Sequence, residues 1–247
     1  MREYSERIPK PLVTIGGRPI IWYLMKYYAY YGHTEFILCL GHMGDMIRKF
    51  FVEYRPYENE DFILEKGTPK LTDTSNATDV SDWNIRFVDT GLHSNIGQRL
   101  AAVQEFVDGE STFLANYSDQ LSNLPLNEFL KRFEISDANA GFVSVTPSQS
   151  FHIIDHKDGV VNSVHSVEDS HVLVNGGYMA LKSSIFEYMQ SGEELVLEPF
   201  SRLIDEKKLF TYEYRGFWKA MDTFKDKQNF DEMYNKGDRP WEVWNGE

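Results

Sequence analysis

The stretch that decides the fold is PIIWYLMKYYAYYGHTEFILCLGHMGDMIRKFFV, residues 19–52. Pro19 suits the first position of a helix, Ile20, Ile21, Leu24, Tyr27, Tyr28 and Tyr31 recur at helical spacing, and Gly32 follows as a stop. The next apolar run, Phe36 to Leu40, is short and continuous, the pattern of a strand buried on both faces. Gly44 and Asp45 then open a second helix through Met46, Ile47, Phe50 and Phe51. Helix, strand, helix in close succession is the signature of an α/β layer.

Outward from this stretch the alternation continues. Strands are predicted at Phe62 to Leu64, Ile85 to Val88 and Thr112 to Ala115, with helices over Ile96 to Phe106 and Leu126 to Phe133. Gly141 to Val145, Phe151 to Ile154 and Val160 to Val167 read as an antiparallel β insertion, with Asp158-Gly159 as its hairpin turn. Val172 to Met179, helices at Ser183 to Met189 and around Glu198 to Glu206, a strand at Leu209 to Tyr214 and a helix from Thr223 to Asn235 complete the chain. The expected fold is α/β, a doubly wound, mostly parallel, Rossmann-like sheet with a small antiparallel insertion, in one domain spanning 1–247.

Composition narrows the function classes. The 247 residues are 42% hydrophobic, enough for a substantial core, and carry a formal net charge of -13. That charge argues against nucleic acid as a partner, because phosphate backbones are held by clustered Lys and Arg. The single cysteine, Cys39, allows no intrachain disulfide, fits a reducing cytoplasm and is expected in the core. No apolar stretch approaches the roughly 20 residues that span a bilayer, so no membrane association is expected. Trp241 and Trp244 near the C-terminus suggest a tail packed down on the domain.

In open α/β sheets ligands sit beyond the carboxyl ends of the strands. Asp119 follows the run Phe113 to Ser118, and Asp222 follows Phe217 to Met221. Two carboxylates converging from strand ends suit Mg²⁺, a hard ion shared between protein and phosphates; the competing reading makes Asp222 the N-cap of the last helix. Lys10, between Pro9 and Pro11, is held on a stiff backbone and is either a phosphate contact or simply solvated. Arg99 lies in the first turns of a helix whose N–H groups are candidates to face an anion. Asn175-Gly176-Gly177 reads on its own as a hairpin turn. The histidines form no metal set, and no G-x-S-x-G, phosphate-loop or Cys-x-x-Cys motif is present.

Taken in order, Ile8-Pro9-Lys10-Pro11-Leu12-Val13, Ile15-Gly16-Gly17-Arg18-Pro19-Ile20, Phe87-Val88-Asp89-Thr90-Gly91, Asn95 to Leu100, Asn116-Tyr117-Ser118-Asp119, Asn175-Gly176-Gly177, Gly216-Phe217-Trp218 with Met221-Asp222-Thr223, and Pro240 to Trp244 span the chain. This ordered set resembles the sugar-1-phosphate nucleotidyltransferases, most closely the glucose-1-phosphate cytidylyltransferase branch. The resemblance implies a Mg²⁺-dependent reaction of CTP with glucose 1-phosphate, giving CDP-glucose and pyrophosphate for cell-surface polysaccharide. It implies that Asp119 and Asp222 hold the metal, that Lys10 acts in catalysis beside them, and that Lys10, Ser94, Arg99 and Ser118 contact the nucleotide. Asn175, Gly176 and Gly177 would border the sugar, and the aromatic tail offers a surface for a homo-oligomer. The alternative is a non-catalytic relative that binds nucleotide or sugar phosphate.

The chain departs from the family's pattern in three places. A first strand and a glycine-rich loop, G-G-x-G-x-R, would lie before Met1, and without that strand a neighbouring one keeps unpaired backbone groups beside a slot in the core. The expectation is that the start lies at an internal methionine, with an in-frame strand and loop encoded upstream. Ser166 and Val167 stand where many relatives carry Glu-Lys-Pro, and Gln120 and Asn123 replace Gly and Asp beside Asp119.

Overall fold

The computed structural model describes residues 7–55, 61–72, 80–147, 152–167 and 172–245, and it builds the quoted stretch as helix, strand and helix, except that Pro19 is extended and precedes the first helical residue instead of being it. Helix α1 (Ile20–Tyr30) buries Ile20, Ile21, Leu24 and Met25 together with Trp22, Tyr23, Tyr27 and Tyr28 and leaves Tyr30 exposed, strand β3 (Glu35–Leu40) follows, and α2 (Gly44–Val52) comes next. Ahead of α1 the chain does not run straight into the helix. Strands β1 (Thr14–Ile15) and β2 (Arg18–Pro19) form a small hairpin around Gly16 and Gly17, whose φ values of 55° and 89° favour glycine. A Cβ on Gly16 would meet the Tyr234 ring at 2.0 Å, so this glycine also seats the last helix.

Strands β4 (Phe62–Glu65) and β5 (Thr68–Leu71) make an exposed hairpin, and β6 (Asn84–Asp89) pairs parallel to β3. Helix α3 (Ile96–Ala102) stops at Ala102, and Gln104–Phe106 is a separate 3₁₀ turn rather than a continuation. Strands β7 (Thr112–Asn116) and β8 (Gln120–Ser122), helix α4 (Leu126–Ile135) and strand β9 (Ala140–Val145) follow. The hairpin β10 (His152–Lys157) and β11 (Val160–Ser166) turns at Asp158 and Gly159, both in the left-handed region as the Asp-Gly pair predicts; Phe151, placed in this hairpin by the sequence, lies outside the described residues. Then come β12 (Val174–Lys182), α5 (Glu198–Asp205), β13 (Leu209–Tyr214), β14 (Trp218–Ala220) and α6 (Phe224–Lys236). Ser183–Tyr188, expected as an α-helix, is a six-residue 3₁₀ turn.

The larger sheet runs β13-β9-β12-β7, with β9 parallel to β13 and antiparallel to β12. This corrects the expected insertion. β9 is a central strand with Val143 and Val145 buried, and only β10 and β11 project, carrying exposed Ile154, Val160, Val161 and Val164. The error has a physical origin: adjacent short strands look alike in sequence, while sheet membership is set by partners distant in the chain. One core cluster joins α1 to Leu124, Phe129, Phe133 and the tail, where buried Trp241 meets the Tyr23, Phe217 and Phe230 rings. The tail is packed down as expected, with Trp241 buried and Trp244 half-buried against the Trp22 and Tyr23 rings.

β3 and β7 do not pair with each other. Both line one slot of about 1520 Å³, and their apolar residues other than the buried Leu40 stay half-exposed along it. Cys39 is among them, half-buried instead of enclosed in the core, with burial raising its thiol pKa.

Candidate active site

Two antiparallel strands far apart in sequence build the site. β8 and β14 pair with Gln120 opposite Ala220, and Met221 N donates to Asp119 O at 2.8 Å. This register sets Asp119, just before β8, beside Asp222, just after β14. Lys10 arrives from the 3₁₀ turn Lys10–Leu12, whose entry is fixed by Pro9 at φ -62° and ψ 141°. Its Nζ lies 2.6 Å from Asp119 Oδ2 and 2.6 Å from Asp222 Oδ1. Burial acts to lower the Lys10 pKa, but the hydrogen bonds and charges of the two carboxylates outweigh it, so the ammonium titrates above the ordinary lysine value.

Asp222 does not cap the last helix. Thr223 does, accepting from Asp226 N at 3.1 Å while Thr223 N donates to Asp226 Oδ2 at 2.8 Å, a reciprocal capping box. That leaves the Asp222 carboxylate to Lys10 and solvent, with its side chain 49% exposed.

Ser118 and Asp119 line the slot together with Pro9 and Arg99. Arg99 Nη1 donates to Thr90 Oγ1 at 2.7 Å and to Leu40 O at 3.2 Å, which ties it to the ends of β3 and β6. Ser94 Oγ donates to Thr90 O. The α3 N-terminus is not open to an anion: Gln98 N donates to Asn95 Oδ1 at 2.8 Å and Ile96 N to Glu194 Oε2 at 3.4 Å. Asn175 to Gly177 is not a hairpin turn but an irregularity inside β12, where the register against β9 shifts. Asn175 Oδ1 accepts from Gly177 N at 2.8 Å, and Trp218 Nε1 donates to Gly176 O at 2.9 Å.

Three supporting residues have partners that the sequence did not show. Thr90 joins Arg99 to β3 by also donating to Leu40 O at 2.9 Å. Asn123 Oδ1 accepts from Tyr214 OH at 2.6 Å and Phe217 N at 2.9 Å, so the residue that replaces an Asp fixes the entry to β14. Gln120 is buried against Gly177 with its Nε2 unpartnered. Their positions beside strand-end motifs were the available signal; their partners lie too far along the chain to be read.

No family model matches the chain. It is 31% identical over 246 residues to the probable glucose-1-phosphate cytidylyltransferase of Bacillus subtilis, covering 99% of this chain and 95% of that protein. The chain belongs to the glucose-1-phosphate cytidylyltransferase family. A second member, from Salmonella typhimurium, is 30% identical over 239 residues, covering 96% of this chain and 91% of the relative. Cytidylyltransferases of this family are sugar-1-phosphate nucleotidyltransferases, and solved structures agree on the fold. An apo UDP-glucose pyrophosphorylase superposes with TM-score 0.68 at 15% identity, over 96% of this chain and 94% of its own. The UTP-bound enzyme from Acinetobacter baumannii gives 0.64 at 16%, over 93% and 87%. The fold is therefore the Rossmann-like α/β fold of the nucleotidyltransferases. Among the described residues no helix is long and apolar enough to cross a membrane.

Proposed function

We propose that the chain joins CTP and glucose 1-phosphate to give CDP-glucose and pyrophosphate, in the cytoplasm, as an activated sugar for cell-surface polysaccharide. A phosphate oxygen of glucose 1-phosphate attacks the α-phosphorus of CTP, the bond from that phosphorus to the β-phosphate's bridging oxygen breaks, and pyrophosphate leaves. No side-chain nucleophile is needed; the protein's work is positioning and charge neutralisation. The reading is carried by the convergence of Lys10, Asp119 and Asp222.

The charge of that triad is informative. Two carboxylates and one ammonium leave a net negative charge, which repels a triphosphate; a divalent cation reverses it. The oxygen-only donor set suits Mg²⁺, and Asp119 and Asp222 are the residues that would hold it. Among the described residues no three His, Cys, Asp or Glu side chains cluster, so the ion would complete its shell from phosphates and water. When bound, Mg²⁺ supplies neutralisation of phosphate charge. Lys10 has three N–H donors and uses two on the carboxylates, leaving one for a phosphate oxygen. Arg99, Ser94 and Ser118 would line the nucleotide side, and Asn175 to Gly177 the sugar side, where the glycines let backbone approach the ligand. The exposed apolar face of the β10–β11 hairpin offers a surface for a homo-oligomer.

One observation favours binding without turnover: the slot between β3 and β7 opens beside Asp119. Incubation with CTP, glucose 1-phosphate and Mg²⁺, following pyrophosphate, separates the readings. Release that is faster with CTP than with UTP or dTTP supports the cytidylyl transfer. Nucleotide binding by folded protein without release supports the second reading.

A further inference from the structure

Gln120 follows Asp119 directly and pairs with Ala220, so it stands one residue from the carboxylate that meets Lys10. It is 2% exposed, yet its Nε2 makes no hydrogen bond. A buried donor without an acceptor costs stability, and folded chains keep few of them.

What the carboxamide faces narrows its use. A Cβ on Gly177 would lie 1.6 Å from Gln120 Nε2 and 2.7 Å from Tyr117 Cδ2, so the amide and the half-buried Tyr117 ring meet over the bare Cα of Gly177. The ladder of β12 with β9 breaks off after Asn175, and the ladder with β7 starts at Tyr178, which leaves Gly176 and Gly177 outside both. Nε2 is thus screened on this side by residues with neither side chains nor ladder partners. On the β9 side, Ser144 lies opposite Asn175, 4% exposed, and its Oγ is unpartnered too.

Packing alone does not call for glutamine here, because Met fills a similar volume without leaving a donor unsatisfied. Nor does phosphate, since a neutral amide brings no charge and Lys10 already supplies one. A sugar hydroxyl, neutral and able to accept, matches the amide N–H. We propose that Gln120 is a specificity-determining residue for the sugar: its Nε2 donates to one hydroxyl oxygen of the hexose in the sugar 1-phosphate. This rests on the proposed placing of the sugar at Asn175 to Gly177. The donor, a cost to the chain by itself, gains its acceptor from the sugar. A hexose lacking that hydroxyl leaves the donor unpaired, which is how a buried polar group rejects a near-isostere.

Gln120→Met keeps the length of the side chain and removes the donor. Binding of glucose 1-phosphate is measured by calorimetry in Mg²⁺ with the α,β-methylene analogue of CTP, which blocks turnover, beside the monodeoxy glucose 1-phosphates, each lacking one hydroxyl. The parent chain is expected to bind one of these analogues roughly tenfold more weakly than glucose 1-phosphate. Gln120→Met is expected to bind the two alike, at about the weaker value, with its affinity for the CTP analogue unchanged. Its urea midpoint without ligand is expected to equal or exceed the parent's, because a buried unpaired donor has gone. Gln120→Ala is expected to lose the same discrimination. Discrimination retained by either variant, a parent that binds every monodeoxy sugar as it binds glucose 1-phosphate, or a parent that binds no sugar phosphate overturns the proposal. So does a lower urea midpoint for Gln120→Met, which marks Gln120 as a structural residue satisfied by a partner such as water. A parent that discriminates through Gln120 in binding but releases no pyrophosphate from CTP itself supports the proposal and overturns the proposed reaction. Release of pyrophosphate without discrimination through Gln120 does the reverse.

Discussion

Lys10 Nζ bridges Asp119 Oδ2 and Asp222 Oδ1, 2.6 Å from each. One ammonium thus holds together two carboxylates delivered by strands β8 and β14. Replacing Lys10 by Met removes the charge that separates them and, under the proposed reaction, a donor to phosphate. Steady-state pyrophosphate release is expected to fall roughly a hundred- to a thousandfold in kcat/KM, with Asp119→Asn and Asp222→Asn each falling comparably.

If the proposed reaction holds, the net negative charge of the triad calls for a divalent cation, and Mg²⁺ dependence is the expected outcome. Excess EDTA is expected to abolish turnover and to weaken CTP binding measured by calorimetry, and added Mg²⁺ to restore both. Unchanged CTP affinity in EDTA would remove the two aspartates from nucleotide binding.

The raised Lys10 pKa has a consequence for stability against pH. A lysine whose folded value exceeds its unfolded value, here near 10.5, contributes stability that is fully present below that pH and is lost as pH rises through the folded value. The difference in Tm between the parent chain and Lys10→Met is expected to stay constant from neutral pH to about pH 10 and to shrink above it, measured by circular dichroism.

Gly177 has φ 74°, and a Cβ there would lie 1.6 Å from Gln120 Nε2. Gly177→Ala is expected to destabilise by about 1–3 kcal/mol in urea unfolding. Adding Gln120→Ala removes the overlap but not the backbone strain, so the double variant is expected to recover only part of the loss.

Trp241 is 1% exposed and contacts three aromatic rings. Trp241→Ala is expected to cost about 3–5 kcal/mol, lowering the urea midpoint while leaving the slope nearly unchanged.

Much of this was legible before any coordinates. The α1–β3–α2 succession, the Asp158-Gly159 hairpin and the packed tail follow from local rules: spacing of apolar residues, turn chemistry and aromatic burial. The identities of Lys10, Asp119 and Asp222 were legible as strand-end and proline-turn residues. Their competition with blander roles was not settled locally. Asp222 and Thr223 are adjacent, and only the reciprocal bonds between Thr223 and Asp226 decide which of them caps the helix. Likewise Asn175-Gly176-Gly177 carries a turn signature, yet pairing with β9 and β7 on either side draws it into one long strand with a bulge.

The sequence by itself determined the kinds of element, the residue types able to meet phosphate and metal, and a family pattern that two curated relatives at 30% identity or more match. The tertiary structure alone decided which of those residues meet. Asp119 and Asp222 are neighbours because Gln120 pairs with Ala220, and β3 and β7 face a shared slot because each has only one ladder partner among the described residues. The reason is the same in both cases. Local conformation depends on a few neighbouring side chains, whereas strand pairing closes long loops, and its register is fixed only when the whole core forms.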